Sequence, residues 1–171
     1  MKIKISYILL LTLLILFLLF TKAKSEKIMA EKSIPASTKY NLLQNQRIRV
    51  DAKGSGYYNA SRTGHTHQGI DLITTPGEYI RAPFAGKINR QANPYPSDHN
   101  YKGVELVNFK GDIKMKIFYC DNFIIGKTFS EGDIIARSQD ISTKYGPGMI
   151  PHIHVEIRVN NILIDPTHFL I

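Results

Sequence analysis

Two histidine clusters are spaced in a way that could do chemistry. The run His152-Ile153-His154-Val155-Glu156-Ile157-Arg158-Val159 alternates polar and apolar residues without a break. A period of two is that of a strand, so His152, His154, Glu156 and Arg158 share one face. On the strand alone two readings stand: the solvated face of a half-exposed strand, or imidazoles converging on something they bind. The second cluster, His65-Thr66-His67-Gln68-Gly69-Ile70-Asp71, holds two His and one Asp within seven residues. His67 and Asp71, four apart, share a face in either a strand or a helix. Two His and one carboxylate form a zinc set that leaves a fourth position open to water, which is what a hydrolytic metal site needs. Nitrogen and oxygen donors suit Zn2+ without a thiolate. The single Cys among 171 residues, Cys120, excludes a disulfide framework and a zinc ribbon.

The elements that must position these residues read as strands. Short apolar or alternating runs recur at Tyr79–Ala82, Gly86–Ile88, Val104–Phe109, Ile113–Cys120, Asp133–Ala136 and His152–Val159, punctuated by Gly, Pro, Asp and Asn. That is the pattern of an all-β domain. Asn160-Asn161 separates His152–Val159 from Ile162-Leu163-Ile164, and Asn tolerates positive φ, so a two-residue hairpin turn is expected there. We expect a compact antiparallel β-sheet domain over residues 47–171, with a polar tether over 25–46.

Residues 1–24 read differently. Ile8 to Phe20 is apolar except for Thr12, with Lys2 and Lys4 before it and Lys22 and Lys24 after it. A charged region followed by an apolar one is the layout of an export signal. Counted from Ile5 to Thr21 the stretch is also long enough, at 17 residues, to anchor the chain in a bilayer. Signal peptide and membrane anchor both stand, and both make the protein extracytoplasmic. These four lysines belong to the formal charge of +8; without them 18 bases face 14 acids, with no Lys/Arg run of five. A nucleic-acid partner is therefore not expected, whereas an anionic wall polymer or glycan suits the mild positive charge.

With these residues in view, the chain resembles the lysostaphin-type zinc endopeptidases, whose fold is the duplicated hybrid motif and which cut peptide bonds in bacterial peptidoglycan. The resemblance rests on His67-Gln68-Gly69-Ile70-Asp71, Ala82-Pro83-Phe84-Ala85-Gly86-Lys87-Ile88 and His152-Ile153-His154-Val155-Glu156. Within that superfamily it is nearest the chemotaxin-2-like members, through Gly54–Arg62, Pro94-Tyr95, Lys116–Tyr119 and Asp165-Pro166-Thr167. The resemblance implies Zn2+ held by His67, Asp71 and His154, with His152 beside them as general base or transition-state donor. It also exposes a departure. Active peptidases carry a further His in a Tyr-x-His segment, and this chain reads Tyr119-Cys120-Asp121. A carboxylate donates no hydrogen bond unless protonated. The chemotaxin-like members also lack that His and are regarded as zinc-binding without peptidase activity. Their cysteines are absent too: Ser55, Thr74 and Lys114 stand in those places.

Two functions therefore stand: a catalytically weak or silent zinc-binding module that recognises a wall peptide, glycan or surface protein, and an active zinc metalloendopeptidase acting on peptidoglycan peptides. His65, His99 and Tyr119 are candidates for the missing donor, each weighed against an ordinary surface role. Tyr57, Tyr58 and Tyr95 could line a groove, although exposed loop tyrosines without one are commoner. Cys120 reads as a buried thiol, His168 as structural or exposed, and Asn59-Ala60-Ser61 as a sequon that matters only in a eukaryotic secretory pathway.

Overall fold

The computed structural model describes residues 2–35 and 37–171; Met1, Ala36 and the side chains of residues 2–6, including the flanking Lys2 and Lys4, lie outside the described residues. A helix, α1 (Lys2–Ser33), precedes short strands β1 (Val50–Asp51), β2 (Gly54–Ser55), β3 (Ser61–Arg62) and β4 (His65–Thr66). Then come β5 (Ile70–Ile73), β6 (Tyr79–Arg81), β7 (Gly86–Gln91), β8 (Gly103–Asn108), β9 (Ile113–Phe118) and β10 (Cys120–Asp121). The chain closes with β11 (Thr128–Phe129), β12 (Ile134–Ser138), a helical turn α2 (Ser142–Tyr145), β13 (His152–Val159), β14 (Ile162–Ile164) and α3 (Thr167–Leu170).

A seven-stranded antiparallel sheet in the order β11-β7-β8-β9-β13-β14, with β5 also on β13, carries the architecture, and a three-stranded sheet β10-β12-β6 packs with it. The eight residues of β13 are central. One edge pairs with β9; the other pairs first with β5 and then with β14. The expected hairpin turn is present, with Asn160 and Asn161 at φ of 50° and 66°. The apolar row of β13, Ile153, Val155, Ile157 and Val159, lies in the core beside Ile70, Leu72, Met115 and Ile117. Its polar row is also covered. His152, His154 and Glu156 are 4, 9 and 6% exposed, so the solvated-face reading fails.

The stretch read as a polar tether packs on the domain. Residues 25–33 continue α1, and Ala30, Ile34, Tyr40, Leu42 and Leu43 join the core. These apolar residues stand in short groups among Lys, Glu, Ser and Gln, a mix whose overall polarity does not show that they are buried. Upstream, Ile8–Phe20 is exposed, and Tyr7–Ser33 is long and apolar enough to cross a membrane.

Close backbone approach sets the spacing beside the histidines. A Cβ at Gly69 would lie 2.2 Å from the Val155 carbonyl oxygen and 2.9 Å from His154 Cε1. Gly69→Ala must push β5 from β13, and we expect it to cost about 2–3 kcal/mol of stability by urea denaturation. A denaturation midpoint matching the wild type would show that the approach has slack.

Candidate metal centre

The register of β13 builds the centre. His154 lies directly opposite Asp71 on β5 and opposite Phe118 on β9, and side chains at paired positions share a face. His154 Nδ1 is accordingly 3.0 Å from Asp71 Oδ1, and its ring stacks on Phe118 with centroids 5.6 Å apart. His67 comes from neither a strand nor a helix: it precedes β5, fixed by backbone hydrogen bonds with Asn59 and Ala60. Its Nε2 reaches 3.1 Å from Asp71 Oδ1 and 2.8 Å from His154 Nδ1. The three residues named by the sequence thus present three donor atoms in a near-equilateral triangle, all buried.

These residues fit a divalent metal. Tetrahedral zinc at about 2.0–2.1 Å from its ligands places them about 3.3 Å apart, close to the edges observed. The outer nitrogen of His67 is held as a metal-bound imidazole requires. His67 Nδ1 lies 2.9 Å from the Tyr57 carbonyl oxygen. A carbonyl only accepts, so the proton is on Nδ1 and the Nε2 lone pair faces the triangle. His154 Nε2 faces Glu156 Oε1 at 3.6 Å. Burial disfavours charge on His154, but the hydrogen bond to Asp71 and the nearby Glu156 outweigh it and push its pKa up to about 9. A proton there relieves the crowding of three donor atoms that a dication would also relieve.

The charge beneath the triangle was not visible in the sequence. Arg49 is 3% exposed. Its Nη2 and Nε donate to Asp71 Oδ2 at 2.9 and 3.3 Å, and its Nη1 to Asp51 Oδ1 at 2.5 Å. Backbone bonds Arg49 N–Asp71 O and Gly56 N–Arg49 O lay this segment beside β5. Burial alone would raise the pKa of Asp71; the hydrogen bond from His154 and the charge on that ring reverse it and hold the carboxyl well below its usual range. The alternation of Arg49 with Ile48 and Val50 was the one available signal, and it does not report burial.

His152 sits beside the triangle without joining it. Its Nδ1 donates to the Ile150 carbonyl at 2.7 Å, leaving the Nε2 lone pair 3.9 Å from Asp71 Oδ2. Burial lowers its pKa, which keeps the ring neutral. The centre opens into a cleft of about 780 Å³ whose lining includes Arg62, His65, Tyr95, Tyr119 and Tyr145. Of the donor candidates, His65 reaches the cleft but its Nδ1 is engaged with Thr63 O at 3.1 Å; His99 is exposed and does not line it. Tyr119 does, with its ring edge-on to His152 at 5.4 Å. Asp121 pairs with Arg137 on β12 and is not part of the lining. Tyr57 is exposed and Tyr58 packs under Lys27, so Tyr95 alone of those three faces the cleft.

Comparisons with known proteins bear on the family and the fold. No family model matches the chain. Leukocyte cell-derived chemotaxin-2 of Bos taurus is 33% identical over 127 residues, covering 74% of this chain and 80% of the relative. Among solved structures, the antimicrobial peptidase lysostaphin from Staphylococcus simulans superposes with a TM-score of 0.57 at 20% identity, over 78% of this chain and 53% of its own. A zinc-containing peptidase from Vibrio cholerae gives 0.53 at 21% identity, over 75% and 38%. At such identities the two structures speak for the fold, and this chain spans about half of lysostaphin's length.

Arg49→Met keeps the bulk and removes the cation, leaving Asp71 and Asp51 buried without their partner. We expect a loss of about 3–5 kcal/mol by chemical denaturation, partly recovered by adding Asp51→Asn. A loss below about 1 kcal/mol would mean that the two carboxylates do not need Arg49.

Proposed function

The chain belongs to the leukocyte cell-derived chemotaxin-2 family, on the lysostaphin-type peptidase fold, and we propose on that premise that it is an exported zinc-binding module of weak or absent peptidase activity. Its ligand is a peptidoglycan peptide or a cell-surface glycan or protein. Helix α1 directs it across the membrane as a signal segment or holds it there as an anchor. The observation that carries the zinc reading is the triangle of His67 Nε2, Asp71 Oδ1 and His154 Nδ1.

Zinc bound there would supply a Lewis acid with an open coordination position. The chain's own residues do the rest. Arg49 ties up Asp71 Oδ2 and leaves Oδ1 to the metal. Glu156 and the Tyr57 carbonyl orient the two ligand imidazoles. His152 offers a neutral, buried Nε2 that could take up a proton at the cleft wall. Active members, as the family resemblance implies, add an imidazole that donates to the oxyanion; here Asp121 takes that place in sequence and lies off the cleft. Loss of one such donor typically costs two to three decades of rate, which supports a module that binds more than it cuts.

His152, neutral and within 4 Å of Asp71, favours a second reading, the active zinc metalloendopeptidase. One series separates the two. Metal analysis of the purified protein is expected to give one zinc per chain and none after His67→Ala/Asp71→Ala; an equal, negligible content in both rejects the zinc reading. The loaded protein is then incubated with purified peptidoglycan. Binding without new amino termini supports the module. New amino termini that vanish in His152→Ala establish the peptidase.

A further inference from the structure

Tyr119 is misplaced for a residue that follows a strand. In β9 the side chains alternate, and Phe118 faces the centre, stacked on His154. Regular alternation would turn Tyr119 to the other side. Instead both residues line the cleft. The cause is the backbone: Tyr119 has φ of +64°, a left-handed conformation that bulky residues rarely adopt and that clusters at functional sites. Backbone bonds hold it there, from Tyr119 N and Cys120 N to Lys102 O at 2.7 and 3.1 Å and from Gln139 N to Tyr119 O at 2.8 Å.

The swing brings the Tyr119 ring edge-on to His152 and its hydroxyl into a chain. Tyr119 Oη is 3.1 Å from Tyr95 Oη, which is 2.7 Å from Tyr145 Oη. The Tyr95 and Tyr119 rings stack 6.2 Å apart, and Lys144 Nζ, paired with Asp98, lies 4.3 Å from the Tyr95 centroid. Three hydroxyls carry three protons, and two links use two of them. One proton is left for an end of the chain. Tyr145 is 42% exposed and has water to accept from or give to; the other end is Tyr119, beside the centre. An oxygen bearing negative charge in the cleft would draw the chain into the order Tyr145 to Tyr95 to Tyr119, each donation strengthening the next. Burial pushes the Tyr119 hydroxyl up to about 12, so it keeps its proton at neutral pH.

We propose that Tyr119 is the hydrogen-bond donor met by a carbonyl or tetrahedral oxygen of a ligand in this cleft, with Tyr95 and Tyr145 as the hydroxyl chain behind it. As a neutral phenol it donates to a bound oxygen without the charge an imidazolium brings, so it serves binding and does not restore the donor missing at Asp121. The inference rests on the zinc reading, because the metal is what places the ligand oxygen.

The test uses the full chain in detergent, loaded with zinc, and acetohydroxamate as the probe, whose paired oxygens chelate the metal and present an anionic acceptor. Calorimetry on the wild type, Tyr119→Phe and Tyr95→Phe reads the donor directly. We expect Tyr119→Phe to weaken probe binding about tenfold, the effect of one lost hydrogen bond, and Tyr95→Phe to weaken it a few-fold. Zinc stoichiometry should stay unchanged in both, a combination that a purely structural role would not produce. Equal affinity in Tyr119→Phe, or a zinc-loaded wild type that ignores the probe, overturns the proposal. If Tyr119→Phe loses its fold, Tyr95→Phe decides alone: weakened binding upholds the chain, unchanged binding refutes it. A wild type that takes up no zinc defeats the zinc reading and this inference together, and is seen before any variant is made.

Discussion

The Asp71 carboxylate is the group on which the arrangement depends. It is 3% exposed, and an isolated carboxylate at that depth would take up a proton instead of staying charged. Each of its oxygens is engaged. Oδ2 accepts from Arg49, and Oδ1 faces His67 Nε2 and His154 Nδ1. Arg49 in turn is shared with Asp51, whose other oxygen accepts from Ile150 N at 2.8 Å. The segment at Arg49 to Asp51, strand β5 and the start of β13 are thus joined through charge as well as through backbone. Where the family resemblance implies cysteines this chain has Ser55, Thr74 and Lys114, and Thr74 Oγ1 is buried without a partner among the described residues. The ionic cross-link ties the Arg49–Asp51 segment to β5 and to Ile150 ahead of β13 without a covalent bond.

Around that carboxylate, β13 does two jobs with one alternation. Its odd-numbered row fills the core; its even-numbered row supplies His152, His154 and Glu156 to a second, polar interior. A strand buried on both faces must satisfy every polar side chain on the second face. Ile150 O, Asp71 and Lys116 do so for His152, His154 and Glu156 respectively. The site is therefore pre-formed by the sheet and does not wait for a ligand to assemble it.

This explains what was legible in the sequence. Period-two alternation identified β13 and the paired asparagines identified its turn, because both signals are local. The ligand set followed from family resemblance, since His67 lies in no regular element and spacing alone leaves its partners open. Arg49 was not legible, because burial of a charge depends on what folds over it. Nor was the packing of residues 25–46, where a few apolar residues such as Ile34 and Leu42 count only once the chain folds onto the core. Tyr119 was named as one donor candidate among three, but no sequence signal announces a left-handed tyrosine.

The placement of Asp121 alters what its substitution means. A carboxylate inside the cleft would repel a developing oxyanion and actively oppose turnover. On β10, away from the lining, it faces no cleft oxygen; on the proposed reading the chain withholds a donor without adding a repulsion. One absent donor is a deficit of a few kcal/mol in a transition state. On the proposed reading, a binding module and a peptidase on this fold differ in the donors they offer a ligand. What separates them is which hydrogen-bond donors point into the cleft, and the backbone at Tyr119 decides that as much as the residue at position 121.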